Sequence, residues 1–378
     1  MPRVRRHTTA RASTTHASST ATSITGASST PVPIAPRSRR SPRWAALTLA
    51  AAGALVLTSC ASGPAVDDTA SGTPSGASAT AGYAPVTLDN CGTEVTFDAP
   101  PQRVVTIKSS TTEMMLALGL SDALVGTAFA DGPVPEQWAD DVADVPVLSD
   151  KVPGQEALLE AEPDLVYAGW ESNLSSDGAG ERPTLAALGI ATYVSPAACK
   201  APGYQPDPLT FDDVLGEIRE VGDVFGVPDA ADAVVAEQQA TLDAIDPVDG
   251  QSAVWWSSGT DTPYVGAGIG APQMVLEAAG LTNVFADVHD AWTSVGWEQV
   301  VAADPDVLVL VDSAWNSAQK KKDFLAAHPA ASQLTAVREQ RYVVVPFAAT
   351  EAGVRNAQAA ADVADAVRAL AGATAAEG

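Results

Sequence analysis

Apolar residues in this chain fall into two periods that alternate. Short β-branched runs (Val104 to Ile107, Leu165 to Ala168, Ala253 to Trp256, Val307 to Val311 and Tyr342 to Val345) are bounded by Gly, Pro and Asp and read as buried strands. Segments with helical spacing separate them, so the pattern predicts α/β units with largely parallel sheets. Thr210 to Asp213 has the form of a capping box, which predicts a helix to about Phe225 with Gly226 as its stop. A second helix, capped by Asp229, is expected from Ala230 to about Ile245, closed by Asp246-Pro247. At 1.5 Å per residue it would reach about 24 Å, enough for a strut along both halves.

The runs are also repeated. Glu156-Ala-Leu-Leu-Glu-Ala-Glu162-Pro163-Asp164 leads into LVYAGW, and Glu298-Gln-Val-Val-Ala-Ala-Asp304-Pro305-Asp306 leads into VLVLVDSAW. Upstream, LALGLSDALVG from Leu116 matches LEAAGLTNVFA from Leu276 in the same order. Two matches in register imply two lobes of related topology. The expected layout is an N-terminal lobe at 84–210, linker helices at 211–249, a C-terminal lobe at 250–370 and a tail at 371–378.

Before the first lobe the composition changes. Residues 44–59, WAALTLAAAGALVLTS, are uncharged and follow Arg37, Arg39, Arg40 and Arg43. The run is short for a membrane span and suits a signal-peptide core within a leader at 1–60. It ends in Leu57-Thr58-Ser59-Cys60, which resembles the lipobox of bacterial lipoproteins, with Cys60 the acylated residue; the alternative is a plain secretory signal in which Cys60 is incidental. Residues 61–83 consist almost wholly of small and turn-forming types and read as a flexible tether reaching about 25 Å. With Cys60 lipidated, Cys91 and Cys199 remain as an even pair in an oxidising compartment, which favours a disulfide over two buried thiols.

Charge narrows the choice of function. The first 60 residues hold 8 Arg and no acid, which leaves 13 bases against 46 acids in the rest, a net of −33. Such a body is not built to bind nucleic acid or an anionic membrane surface. Only His289 and His328 follow residue 60, so neither a His-rich metal site nor a bound metal or cofactor is expected. Gly266-x-Gly268-x-x-Ala271, with Asp287 downstream, formally fits a dinucleotide fingerprint and makes a secreted oxidoreductase the enzyme alternative. The turn-rich stretch Ser257 to Pro263 stands where the first strand should lead straight into the glycines. No nucleophile elbow, P-loop or HExxH motif is present, and the expectation is a protein that is not an enzyme.

A lipidated, tethered body of two α/β lobes joined by one long helix resembles the extracytoplasmic substrate-binding lipoproteins of class III ABC importers, which handle iron-siderophores and cobalamin. The resemblance covers residues 84–370 and rests on Pro101-Gln-Arg-Val-Val105, on Thr112-Glu113 leading into LALGL, and on the two Glu-to-Pro-Asp repeats. VVTIKSSTTEM, LSDKVP, YAGWESNLSSDGAG, YVSPAACKAPGY, SSGTDTPYVGAGIGAPQM and VPFAATEAGVRN look closest to the group proposed to import a precursor of the deazaflavin coenzyme F-420 (F-420-0) in actinobacteria. The resemblance implies a periplasmic-binding-protein-like fold with a helical backbone, and a monomer lipid-anchored at the outer face of the cell membrane. It also implies a permease and an ATPase as partners and a small-molecule ligand between the lobes. Glu156 and Glu298 take the positions of the family's permease-docking glutamates; as first-turn acids they could equally serve only the helix dipole.

Ligands of open α/β sheets sit beyond the carboxyl ends of the strands. Lys108, Ser109, Ser110 and Thr111 follow the first such end and suit an anion at a helix N-terminus; helix capping by Thr112 with a solvated Lys108 is the alternative. Trp170 suits ring stacking or core packing. Trp255 and Trp256 lie on opposite faces of one strand, with one expected in the core. Ser258, Thr260, Asp261 and Tyr264 bring polar groups to the second lobe, and Trp292, Trp315 and Phe347 add aromatic surface. Lys108, Arg182 and Arg355 are the candidate cations for an anionic ligand, each with a surface salt bridge as its alternative.

Overall fold

A computed structural model describes residues 82–376. The expected signal segment with Cys60, the expected tether up to residue 81 and the last two residues lie outside the described residues. The first lobe opens with a hairpin, β1 (Val86–Asn90) and β2 (Thr93–Phe97), turned by Cys91 and Gly92, both at positive φ as a two-residue turn between twisted strands requires. There follow β3 (Val104–Ile107), α1 (Ser109–Ala117), β4 (Leu124–Ala128), β5 (Val147–Ser149), α2 (Gln155–Glu160), β6 (Leu165–Ala168), α3 (Arg182–Ala187) and β7 (Ala191–Val194). The five later strands form one parallel sheet in the order β5-β4-β3-β6-β7.

Two helices link the lobes, α4 (Phe211–Phe225) and α5 (Pro228–Asp243). The Thr210 hydroxyl accepts from the Asp213 amide while the Asp213 carboxylate accepts from the Thr210 amide, and Gly226 at φ 68° ends α4. The start of α5 corrects the sequence reading. Asp229 is not its cap, because Pro228 occupies the first helical position, where its missing N–H costs nothing. Ala231 and Val235 of α5 enter the core of the first lobe, and its last turns face α10 (Asn356–Ala376) of the second.

In the second lobe come β8 (Gln251–Ser258), β9 (Tyr264–Gly266), α6 (Ala271–Ala278), β10 (Leu281–Asn283), β11 (Trp292–Ser294), α7 (Trp297–Ala303), β12 (Val307–Asp312), α8 (Ala318–Ala327), α9 (Thr335–Arg338) and β13 (Tyr342–Pro346). The sheet order is β11-β9-β8-β12-β13, with β10 also beside β8. β10, β12 and β13 continue the parallel pattern, while β9 and β11 are antiparallel additions. Alternation at period two puts Trp255 against α6 and α10 on one face and Trp256 against α7 and α8 on the other. Both are core residues, 0% and 2% exposed, where the sequence reading had expected one.

The internal repeat has a structural cause. Glu162 and Asp304 take left-handed conformations, φ 48° and 37°, at the ends of α2 and α7, and Pro then admits the chain to the next strand. The following Asp binds the start of the neighbouring strand in the sheet, β3 beside β6 and β8 beside β12. Asp164 accepts from the amides of Gln102 and Arg103 at 2.8 and 3.0 Å, and Asp306 from the amide of Ser252 at 2.7 Å. The motif is therefore a joint between a helix and two strands, built once in each sheet.

Cys91, at the hairpin turn, is joined in a disulfide to Cys199, just beyond β7, with Cα atoms 5.2 Å apart. Beside it Asn90 exchanges two hydrogen bonds with the Val194 backbone. The glycines of the apparent dinucleotide fingerprint serve packing. A Cβ on Gly268 would lie 2.0 Å from the Ala286 carbonyl oxygen, and one on Gly266 would lie 2.3 Å from the Pro272 Cβ.

Candidate functional site

Where the carboxyl ends of both sheets meet, the structure has an open cleft of about 460 Å³. Trp170 and Ser172 come from the loop after β6, and Ala197, Ala198, Lys200 and Gln205 from the segment after β7. The second lobe supplies Ser257, Ser258, Tyr264, Trp292, Trp315, Phe347 and Glu351. A smaller hollow of about 60 Å³ continues inward past Ser110, Gly169 and Ser195 to Gly270 at the start of α6. Tyr264 stacks on Trp292 at 5.7 Å with planes 16° apart, and Trp315 meets Phe347 edge-on at 6.0 Å. Trp315 is 60% exposed, an arrangement that leaves apolar ring surface open to a ligand. Burial, with Asp290 and Glu351 nearby, pushes the Tyr264 phenol upward and keeps it a neutral donor.

At one end of the cleft Lys108 takes φ 94° and ψ 151°, a conformation almost reserved for glycine. Its ammonium is buried, pairs with Asp131, and lies 3.9 Å from the Trp170 ring centroid, 4.6 Å from Phe129 and 5.0 Å from Phe347. Gly169 makes this possible, because a Cβ there would stand 2.8 Å from that of Lys108. Asp131 also accepts from the Ser109 amide, while the Ser109 hydroxyl accepts from the Asp131 amide. Lys108 is thus neither solvated nor free; it is a resident cation in an aromatic cage that spans both lobes.

Across the cleft the Trp170 indole donates to Glu351 Oε2 at 2.6 Å. Burial pushes the Glu351 carboxyl up, opposed by Lys108 and Lys200. Lower down, Arg355 holds the buried Glu113 of α1 through two bonds of 2.5 Å and donates to the Pro133 carbonyl. Burial still pushes the Glu113 carboxyl upward, against the pull of Arg355.

Several sequence-expected residues fall elsewhere. Arg182 is buried in the first lobe and spends its guanidinium on the Asn90 carbonyl and side-chain oxygens and on Thr192, so it is not offered to a ligand. Arg355 lines a different groove, beside α5 and α10. The Thr111 hydroxyl donates back to the carbonyls of Ile107 and Lys108, and Ser109 serves Asp131. Thr260 and Asp261 lie in an exposed turn outside the cleft lining, where the Thr260 carbonyl accepts from Trp297. Trp170, Ser258, Tyr264, Trp292, Trp315 and Phe347 are brought together, with Ser110 in the inner hollow. Glu156 and Glu298 are exposed in the first turns of α2 and α7, each one residue after the first helical residue and two after a glycine N-cap.

Asp131, Lys200, Gln205 and Glu351 were not anticipated. Lys200 and Glu351 each lie within a strand-end stretch already singled out, YVSPAACKAPGY and VPFAATEAGVRN, which is the signal that could have found them.

Residues 104–349 match the family described as periplasmic binding protein, and the chain belongs to that family. It is 25% identical over 292 residues to an uncharacterised ABC transporter substrate-binding lipoprotein of Bacillus subtilis, covering 75% of this chain and 85% of that one. It is 26% identical over 215 residues to the vitamin B12-binding protein of Yersinia pestis, covering 55% and 69%. Among solved structures it superposes on an ABC-type Fe3+-hydroxamate transport system protein of Saccharomonospora viridis with a TM-score of 0.63 at 28% identity, covering 76% and 99%. A periplasmic binding protein of Veillonella parvula gives a TM-score of 0.67 at 24% identity, with 75% and 98% covered. Among the described residues no helix is long and apolar enough to cross a membrane.

Proposed function

We propose that the protein is the substrate-binding component of an ABC importer of the siderophore, haem and cobalamin class, working outside the cell with a permease and an ATPase and performing no chemistry on its solute. The observation that carries this reading is the cleft itself, in which aromatic side chains from both lobes face an open volume at the strand ends. Volumes of this size accept a ligand with several fused rings.

Within that class our reading of the ligand is a polycyclic aromatic with a polar tail, for which the deazaflavin precursor F-420-0 is the leading candidate. Ring stacking would fall to Trp170, Trp315 and Phe347. With Lys108, Arg182 and Arg355 engaged by other groups, an anionic tail would meet Lys200, whose ammonium makes no hydrogen bond or ion pair among the described residues and acts only through space on the Glu351 carboxyl. The proposal extends to lipidation at Cys60, to a monomer, and to Glu156 and Glu298 as docking points for the permease. Fe3+-hydroxamate and vitamin B12 are named for relatives of the chain and stand as the second reading of the cargo.

The test is tryptophan fluorescence and thermal unfolding of the purified protein with F-420-0, a ferric hydroxamate, haem and cyanocobalamin. Stacking on Trp170 or Trp315 should quench emission, and binding should raise Tm by mass action without turnover. Native mass spectrometry of protein from its own host checks the cargo directly. If none of the four ligands shifts Tm and nothing co-purifies, the importer reading of the cleft is wrong.

A further inference from the structure

Among the described residues Glu351 is the one carboxylate that lines both the cleft and its inner hollow. It follows Phe347–Thr350, and the next residues cross to the first lobe, where Val354 enters the core and Arg355 grips Glu113. Asn356 donates to the Glu351 carbonyl and holds the backbone in place. Of its two carboxylate oxygens, Oε2 is taken by the Trp170 indole, and Oε1 accepts no hydrogen bond from the described residues. The result is a rigidly held acceptor beside aromatic rings, partly withdrawn from water. Leaving it unpaired under a bound ligand would cost on the order of a lost charge-assisted bond.

We infer that Glu351 determines specificity in the cleft: its free oxygen accepts a hydrogen bond from an N–H on the edge of a planar heteroaromatic ring stacked among the aromatic side chains. This rests on the cleft being the ligand site. A cationic ring is disfavoured, because the Lys108 ammonium already occupies the aromatic cage around Trp170. An anionic ring edge is disfavoured by Glu351 itself. A neutral ring carrying an imide or amide N–H satisfies both, and such a ring separates this cleft from one that takes a closed metal complex by shape alone.

The experiment titrates the full chain with riboflavin, a neutral flat ring with one imide N–H, and with 3-methylriboflavin, which lacks it. The wild-type protein should bind riboflavin at least tenfold more tightly. Glu351→Ala should bind the two alike, and so should Glu351→Gln, whose single oxygen stays on the Trp170 indole and turns an NH2 donor toward the ring. Thermal unfolding of both variants checks folding, and Glu351→Gln keeps the Trp170 contact if the alanine variant unfolds. Equal binding of the two rings by the wild type, or discrimination retained in folded Glu351→Ala, would overturn the inference while leaving the cleft as the site. Failure of both rings to bind the wild-type protein would overturn it too, and F-420-0, ferric hydroxamate or cobalamin binding in the same assay would show that the cleft reading survives.

Discussion

Arg355 shows how a residue chosen for its charge can turn out to be spent on the fold. In a chain so poor in bases an Arg beyond a strand end suggests an anion site, yet its guanidinium is 18% exposed and meets a carboxyl that is 1% exposed. Arg355→Ala would strand Glu113 in the core, and breaking a buried pair by removing one partner costs about 3–5 kcal/mol. The variant should therefore unfold at markedly lower urea, while a folded sample keeps its ligand affinity; weaker binding with unchanged stability would restore Arg355 to the binding site. Glu217 makes a second case. Its carboxyl accepts from Tyr167 and Ser195 deep under the first sheet, and burial, the largest influence, raises its pKa to about 7 against the ordinary 4.5. Between those values the folded state holds a proton that the unfolded chain has released, so its contribution is full below about pH 4.5 and is lost as pH rises through about 7. The difference amounts to about 3 kcal/mol at most. Stability followed by chemical denaturation should fall from pH 5 to 7.5, and Glu217→Gln should flatten that part of the profile. An unchanged slope in the variant would assign the pH dependence to other groups.

Among the elements, the β1–β2 hairpin is held in two ways, by its apolar face, with Val95 and Phe97 in the core of the first lobe, and by the groups at its turn. The disulfide closes a chain segment of 108 residues onto the end of β7, and Asn90 and Arg182 bind the same corner. Cys199→Ser should cost about 2–4 kcal/mol and raise amide exchange in β1 and β2 before the parallel sheet is affected. Uniform exchange across the lobe would mean that the hairpin is held by its apolar face alone. Why some elements were legible and others not follows from the same physics. β3, β6 and β12 are continuous apolar runs covered on both faces, and β13 alternates between buried Val343 and Val345 and exposed Val344, so their patterns announce them. β5, β9, β10 and β11 are three residues each, held by neighbours more than by their own pattern. The site divides likewise. Its rings were visible because strand ends in an α/β sheet point to a cleft, whereas the fate of Lys108, Arg182 and Arg355 depended on Asp131, Asn90 and Glu113, partners brought near only by tertiary packing.

At the scale of the molecule, the duplicated joint gives each lobe the same exposed feature. Glu156 and Glu298 stand in the first turns of α2 and α7, each helix begun by a glycine cap and ended by a left-handed acid before Pro-Asp. Both carboxylates face solvent and carry no hydrogen bond or ion pair from the described residues, so the fold does not consume them as it consumes Glu113. The formal charge of −25 on the chain is spread too widely to orient a partner, and at physiological salt it is screened beyond about 8 Å. Two equivalent acids, one on each lobe, would instead fix both the position and the direction of docking on a permease with basic residues opposite. Each such pair contributes about 1.5 kcal/mol or more, roughly tenfold in affinity, so Glu156→Ala with Glu298→Ala should cut uptake about a hundredfold and each single change about tenfold. Tm and ligand affinity of the double variant should match the wild type, since neither side chain lines the cleft. Uptake measured in cells, beside ATPase stimulation of the reconstituted transporter, separates docking from binding; full uptake by the double variant would leave the paired acids with no task beyond the dipoles of their own helices.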